Sequence, residues 1–487
     1  LFAIQLAATS YAVASSPPHA AVEHLHARRH RATPKVSVLV DPAAPIGPVV
    51  PDDFLGLSFE SSELPAVAAD AGEGDLVSLM RSLGPGLLRF GGISADTSTA
   101  WQPEGPLPGW AQTVITPQAL AELANLVRAT GWRVLLTVDL GHIEAAAAAQ
   151  EAQQARTLLG GSLVGIAIGN EPDRYIPDGL RPVGWTLATY LSEAETYRDA
   201  IATAAPGVPI VGPDTSTGQP ALPWLSGTAS GEHPALLTEH FYPLSSCETV
   251  KPTLSDLVSP LTRAHETAVL AQLASISETS GVSLRIDETN DVSCHGQAGV
   301  SNVFASALWA LDYVTRAMTS GVVGLNFHDL IDEPFGYSPL VADGTQELAD
   351  GALHANPEWY ALLATHELLG DRPVQASVMD GPRSLTTSAF LSPGGNLHVV
   401  LDNFAPTGVA PATIRLRVPA LFRAGPILRL TAPGLRATSG VTLGGEEVAS
   451  AGTWSPTPRL QRASSGEAGT FELTLPPSSA ALVTLYR

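Results

Sequence analysis

Eight short apolar runs, each followed by a stretch with helical signals, constrain this chain more than any other feature. The runs are Leu55–Ser61, Leu87–Gly92, Val134–Leu140, Val164–Gly169, Ile210–Pro213, Leu236–Tyr242, Leu284–Asp287 and Gly324–His328. Between them lie helical segments such as Pro117–Ala129, Glu144–Leu159, Leu187–Ala205, Leu254–Ser280 and Val303–Ser320. Eight β/α units predict an α/β fold of the (β/α)8 TIM-barrel type. A doubly wound open sheet is the alternative, but no Gly-x-Gly-x-x-Gly follows the first run.

Beyond the helical segment Glu358–Leu369 the pattern changes to short alternating strands separated by Pro and Gly turns. These are Leu385–Leu391, Leu397–Leu401, Thr413–Val418, Ile427–Thr431, Thr470–Leu475 and Ala480–Tyr486. They predict a C-terminal all-β sandwich domain. Lys35–Val40 is a ninth apolar strand with no place in a count of eight, so it is expected to join the sandwich. The expected layout is therefore residues 35–50 as a strand of the sandwich, 51–370 as the barrel and 371–487 as the rest of the sandwich. Leu1 to Ala14 is apolar and ends in a small-residue site, which reads as the remnant of an export signal. Residues 15–34 read as a disordered linker. His19, His24, His26 and His30 in that linker lack a carboxylate or Cys framework for a metal.

The 487 residues carry a net charge of −21. That balance argues against nucleic acid and anionic membranes as partners. No later apolar run is long enough to span a bilayer. The two cysteines, Cys247 and Cys294, form an even pair in an exported chain. That favours a disulfide over two free thiols. Secretion is the expected localisation, and the oligomeric state is not legible.

Two of the apolar runs break at a glutamate. Gly169-Asn170-Glu171-Pro172 closes the fourth run, and Asp287-Glu288-Thr289-Asn290 closes the seventh. Burying a carboxylate costs several kcal/mol unless it is compensated. In a (β/α)8 barrel the site lies at the C-terminal strand ends, so both acids aim at one cleft. Two facing carboxylates about 5–5.5 Å apart are the machinery of retaining glycoside hydrolysis. The bland reading gives each glutamate a helix to cap or an arginine to pair with. Asp287 is expected on the opposite side of the strand from Glu288, in a structural role. His328 and Trp101, Trp110 and Trp185 are candidates for lining the cleft or for packing.

The Gly169–Pro172 motif resembles the acid/base motif of retaining glycosidases with glutamates on strands four and seven. Several further stretches resemble the heparanase and bacterial β-glucuronidase family, glycoside hydrolase family 79. They are Leu88-Arg89-Phe90-Gly91-Gly92, His240-Phe241-Tyr242, Glu288-Thr289-Asn290, Val300-Ser301-Asn302-Val303-Phe304-Ala305 and Gly336-Tyr337-Ser338-Pro339-Leu340. The resemblance spans roughly residues 36–487 and implies a retaining β-glucuronidase. Glu171 would be the acid/base, Glu288 the nucleophile, and Asn170 the partner of the sugar 2-hydroxyl. Glu60 is a candidate for a sugar hydroxyl. The uronate carboxylate would be received by Gly296, Gln297 and Gly299 with Tyr242 and Tyr337. No metal and no organic cofactor is implied. Ser293-Cys294-His295-Gly296 departs from the family, which has a tyrosine there; a Cys247–Cys294 bridge would hold the loops after strands six and seven instead. A 4-O-methylglucuronide, a uronic-acid polymer, a neutral sugar, or carbohydrate binding without catalysis stay open.

Overall fold

The computed structural model describes residues 35–70, 74–342, 344, 347, 350–456 and 461–487. The expectations for residues 1–34, namely the signal remnant, the linker and the four histidines, lie outside these. Eight parallel strands close into a barrel in chain order. They are Leu55–Glu60, Leu87–Gly91, Arg133–Val138, Leu163–Ile168, Ile210–Thr215, Leu237–Phe241, Leu284–Thr289 and Leu325–Asp329. The first and eighth strands pair, and so do the sixth and seventh, so no edge is left open. Outward side chains such as Leu57, Phe59, Leu88 and Phe90 join the main core under the helices. Leu87, Leu135, Ala167 and Val211 form a separate apolar layer inside the barrel. The polar site stands above that layer.

The helices start and stop where local chemistry dictates. Thr116 accepts a hydrogen bond from the Ala119 N–H, and Gly131, at φ 77°, ends that helix in the left-handed region. The predicted helix over 254–280 is two helices, Leu254–Leu257 and Pro260–Ser280. Pro260 has no N–H to continue the first helix, but it suits the first turn of the second, which Ser259 caps.

The all-β part is one continuous hydrogen-bonded sheet that curls over its own core. Lys35–Pro45 lies between Arg372–Met379, antiparallel to it, and Ala412–Arg417, parallel to it. Val36, Val38, Ile414 and Phe471 fill that core together with Leu397, Val399 and Leu401, which alternate along one face of a single strand. The opposite face of the sheet is apolar too. Phe390, Val400, Leu430 and Leu482 belong to the barrel-side core, so these strands are buried on both faces. Against them lies the helix Phe304–Ser320, apolar nearly all round and almost wholly buried. Its first turn has no side-chain cap. The Phe304 and Ala305 N–H groups donate instead to the Ala437 and Leu435 carbonyls of the sheet domain, at 2.8 and 3.0 Å. Sheet and barrel are therefore joined by apolar packing and by backbone hydrogen bonds. No helix among the described residues is long and apolar enough to cross a membrane.

Candidate active site

Arg89 organises the site. It interrupts the otherwise apolar second strand, is fully buried, and points into the barrel. Its Nη1 donates to Glu288 Oε2 at 2.6 Å and to Ser58 Oγ at 3.2 Å. Its Nη2 donates to Asn170 Oδ1 at 2.8 Å and to Asp214 Oδ2 at 3.1 Å. Five donors in a rigid planar fork let one side chain hold several acceptors in fixed places. A buried charge of this kind is stable only when it is paired, and Glu288, Asp287 and Asp214 surround it.

Glu288 is held from both sides. Arg89 takes Oε2, and the Tyr242 hydroxyl donates to Oε1 at 2.9 Å. Burial alone would push its carboxyl up. The Arg89 guanidinium and the Tyr242 hydroxyl, both bonded to it, oppose that and hold it well below the usual carboxylate range. Glu171 sits differently. Gly169 at φ 77° and Glu171 itself at φ 48° turn the chain sharply at the end of the fourth strand. The Glu171 N–H is tied to the Asp214 carbonyl at 2.8 Å. Burial pushes the Glu171 carboxyl above its ordinary value, and the nearby Glu288 and Asp173 charges add to this. The site thus sets the two carboxyls apart, holding Glu288 toward the ionised form and pushing Glu171 toward the protonated one.

His240 links the two. Its Nδ1 lies 2.9 Å from Glu171 Oε1 and its Nε2 lies 3.1 Å from Arg89 Nη2. Nε2 can only accept from a guanidinium, so the proton sits on Nδ1 and is donated to Glu171. Carboxylate oxygens of Glu171 and Glu288 and a ring nitrogen of His240 all lie within 4.8 Å of one another. This trio has donor types that suit a divalent cation, as does the trio Asp214, His240 and Asp287. In both, however, the Arg89 guanidinium already bonds a carboxylate of the set and would repel a cation.

Asn170 is placed twice, by Arg89 on its side chain and by Asp96 Oδ2 on its N–H at 2.7 Å. The rings of Tyr242 and Tyr337 lie 5.9 Å apart, and His328 meets Tyr337 edge-on at 5.7 Å. Glu60 reaches the margin of this group, 3.8 Å from His328 Nε2, with its other oxygen accepting the Ser94 N–H at 2.9 Å. The structure therefore gathers Asn170, Glu171, Glu288, Tyr242, Tyr337 and, at the edge, Glu60.

The loop after the seventh strand behaves differently from expectation. The N–H groups of Gly296, Gln297 and Gly299, expected to cradle an anion, are engaged within the loop. They donate to the Val292 carbonyl, Ser301 Oγ and Asn302 Oδ1 at 3.1, 3.0 and 2.7 Å. Gly296 has another task. At φ 78°, a β-carbon there would lie 2.7 Å from the Tyr337 nitrogen, so only glycine lets this loop pack against Tyr337. Cys247 and Cys294 form a disulfide, Cα to Cα 5.6 Å, across the loops after strands six and seven. The short parallel pairing of Leu244–Ser245 with Val292–Ser293 lies beside it.

Asp287 corrects a second expectation. Strict alternation puts it on the far side of the strand from Glu288. The register slips between Ile286 and Glu288 against the sixth strand, and this bulge turns both acids inward. Asp287 Oδ2 lies 3.6 Å from Arg89 Nε. Of the tryptophans, Trp185 is buried against Tyr175 and donates to the Pro172 carbonyl at 2.7 Å, bracing the Glu171 turn. Trp101 is buried, and Trp110 stacks on His142 with centroids 3.5 Å apart.

Burial also pushes the carboxyls of Asp139 and Glu151 up to about 8. The unfolded chain releases these protons near pH 4, whereas the native state keeps them to about pH 8. In that window the native state binds more protons, so stability falls as pH rises. The depressed Glu288 acts in the opposite sense, but only below its ordinary range. Thermal melting at pH 5 and pH 8.5 should give a midpoint several degrees lower at pH 8.5. An equal or higher midpoint there contradicts the burial of these acids.

No family model matches the chain. By sequence it is similar to a β-glucuronidase of Aspergillus niger, 24% identical over 377 residues that cover 68% of each chain. By structure it is similar to a 4-O-α-L-rhamnosyl-β-D-glucuronidase from Fusarium oxysporum 12S. That match has a TM-score of 0.73 and 19% identity, over 92% of this chain and all of the other. A GH51 arabinofuranosidase from Xanthomonas axonopodis pv. citri matches with a TM-score of 0.66 and 13% identity, over 93% of this chain and all of the other. Sequence relative and solved neighbours agree on one enzyme class, and the chain is a glycoside hydrolase.

Proposed function

We propose that this chain is an exported retaining β-glucuronidase related to glycoside hydrolase family 79, acting on terminal β-D-glucuronides. The observation that carries the reading is the unequal pair, Glu171 pushed toward its protonated form and Glu288 held toward its ionised one, with carboxylate oxygens within 4.8 Å. That spacing is shorter than the roughly 6.5–9.5 Å of inverting pairs and favours a retaining mechanism. Glu288 attacks the anomeric carbon while the bond to the leaving oxygen breaks. That oxygen takes the Glu171 proton. Formation of the glycosyl ester removes the Glu288 charge, and with it one of the causes that kept Glu171 protonated. Glu171, now a carboxylate, takes a proton from water, and the hydroxide formed at that moment displaces Glu288. Asn170, locked by Arg89 and Asp96, stands beside Glu171 to meet the sugar 2-hydroxyl.

For the sugar itself, the Tyr337 hydroxyl, with its ring packed on Tyr242, suits a uronate carboxylate, and the Aspergillus relative is a β-glucuronidase. The disulfide fits an oxidising compartment. A panel of 4-nitrophenyl glycosides tests the assignment. The β-glucuronide should exceed the β-glucoside, β-xyloside and α-arabinofuranoside in kcat/KM by about 10²-fold or more, the scale set by buried polar groups left unpaired. A neutral glycoside turned over best overturns the sugar assignment and leaves the two carboxylates in place.

A further inference from the structure

Asn290 follows the nucleophile by two residues and is fully buried. Its Nδ2 lies within hydrogen-bond reach of three acceptors on other elements. They are the His328 carbonyl at 3.0 Å, the Tyr337 carbonyl at 2.8 Å and Glu358 Oε2 at 3.2 Å. One amide thus ties the end of the seventh strand to the end of the eighth, to the loop that carries Tyr337, and to the helix that follows the barrel. Glu358 immediately precedes that helix, Trp359–His366. The helix is seated on the all-β domain: Trp359 and Leu362 share a core with Leu430 and Leu443, and the Val448 N–H donates to the Tyr360 hydroxyl at 3.0 Å.

We propose that Asn290 and Glu358 are positioning residues that set Tyr337, and through it Tyr242, from the joint between barrel and sheet domain. The path is continuous in space. Glu358 orients Asn290, Asn290 holds the Tyr337 backbone, the Tyr337 ring packs on Tyr242, and the Tyr242 hydroxyl donates to Glu288. Gly296, pressed against the Tyr337 nitrogen, closes the other side. The all-β domain then has a task at the site it does not itself line: it fixes the helix from which the tyrosine wall is set. Glu358 Oε1 has no hydrogen-bond partner among the described residues. Burial pushes its carboxyl well above the ordinary range, with Asp291 and Asp329 adding to this. A buried side chain whose task is to accept from Asn290 can be replaced by an amide.

The inference rests on reading Tyr337 as a sugar contact, and the test separates the two. Kinetics are measured on the aryl glycoside that the wild-type protein turns over best. Asn290→Ala should raise KM by about tenfold and change kcat less than about threefold, because Arg89 still holds Glu288 independently. Glu358→Leu keeps the bulk and removes the buried acid, while the Asn290 amide keeps the His328 and Tyr337 carbonyls as acceptors and is not left unpaired. It should reproduce the rise in KM, whereas Glu358→Gln should behave like wild type. If Asn290→Ala does not fold, the two Glu358 variants decide. Unmoved KM in folded Glu358→Leu, or a fall in kcat at constant KM, overturns the inference while wild-type activity leaves the proposed reaction intact. A wild-type protein inactive on every glycoside overturns both.

Discussion

Glu288→Gln will lower turnover of 4-nitrophenyl β-glucuronide by about 10⁴-fold or more, the scale seen when an enzyme loses its nucleophile. The amide is isosteric but offers no negative oxygen to the anomeric carbon. It should leave the fold in place, because Arg89 keeps Asp214 and Asp287 as partners. A second variant sharpens the assignment. Glu288→Ala leaves a hole on the face of the sugar opposite the leaving group. Added azide can enter that hole and attack from the same side as the missing carboxylate, giving the α-glycosyl azide. Near-normal turnover by Glu288→Gln, or a β-azide from Glu288→Ala, removes Glu288 from the nucleophile's place.

The barrel was legible because its strands are apolar runs with little else in them, and the period of strand and helix repeats eight times. The two glutamates were legible for the converse reason: each breaks such a run where burial makes a charge costly. Arg89 breaks the second run in the same way, between Leu88 and Phe90. The same reasoning applied to it leads to the residue that holds Glu288, Asn170 and Asp214 together. His240 and Asp214 carry no such signal, since a histidine or an aspartate at a strand end has many uses. Asp287 could not be read, because a bulge is a one-residue slip in pairing and leaves no mark in composition. The anion loop misled for a related reason. Glycines at 296 and 299 show where the backbone can turn, but not whether its N–H groups face a ligand or their own loop. Arg372–Met379 escaped notice because Pro373 and Gln375 spoil the alternation of what is a true strand.

Glu171→Ala should show its effect in the leaving group, not uniformly. With a poor leaving group such as an alkyl alcohol, bond cleavage needs the Glu171 proton, and kcat/KM should fall by about 10³-fold, within the range for general acid catalysis. With 2,4-dinitrophenol as leaving group, no proton is needed in the first step, so formation of the Glu288 ester should proceed. Its hydrolysis still lacks the base, so the ester accumulates and a burst of dinitrophenol precedes slow turnover. Azide needs no base. It should raise the steady-state rate and, entering from the face that the aglycone vacated, give the β-glycosyl azide, the opposite anomer to that from Glu288→Ala. The raised pKa of Glu171 adds a signature in pH. In the wild-type protein kcat/KM falls on the alkaline side as Glu171 loses its proton, and burial sets that limb above the ordinary carboxylate range. In Glu171→Ala the limb should vanish. A variant that keeps it, or that loses activity equally on every leaving group, assigns the proton to another residue. His240, 2.9 Å from Glu171, is the first to replace next.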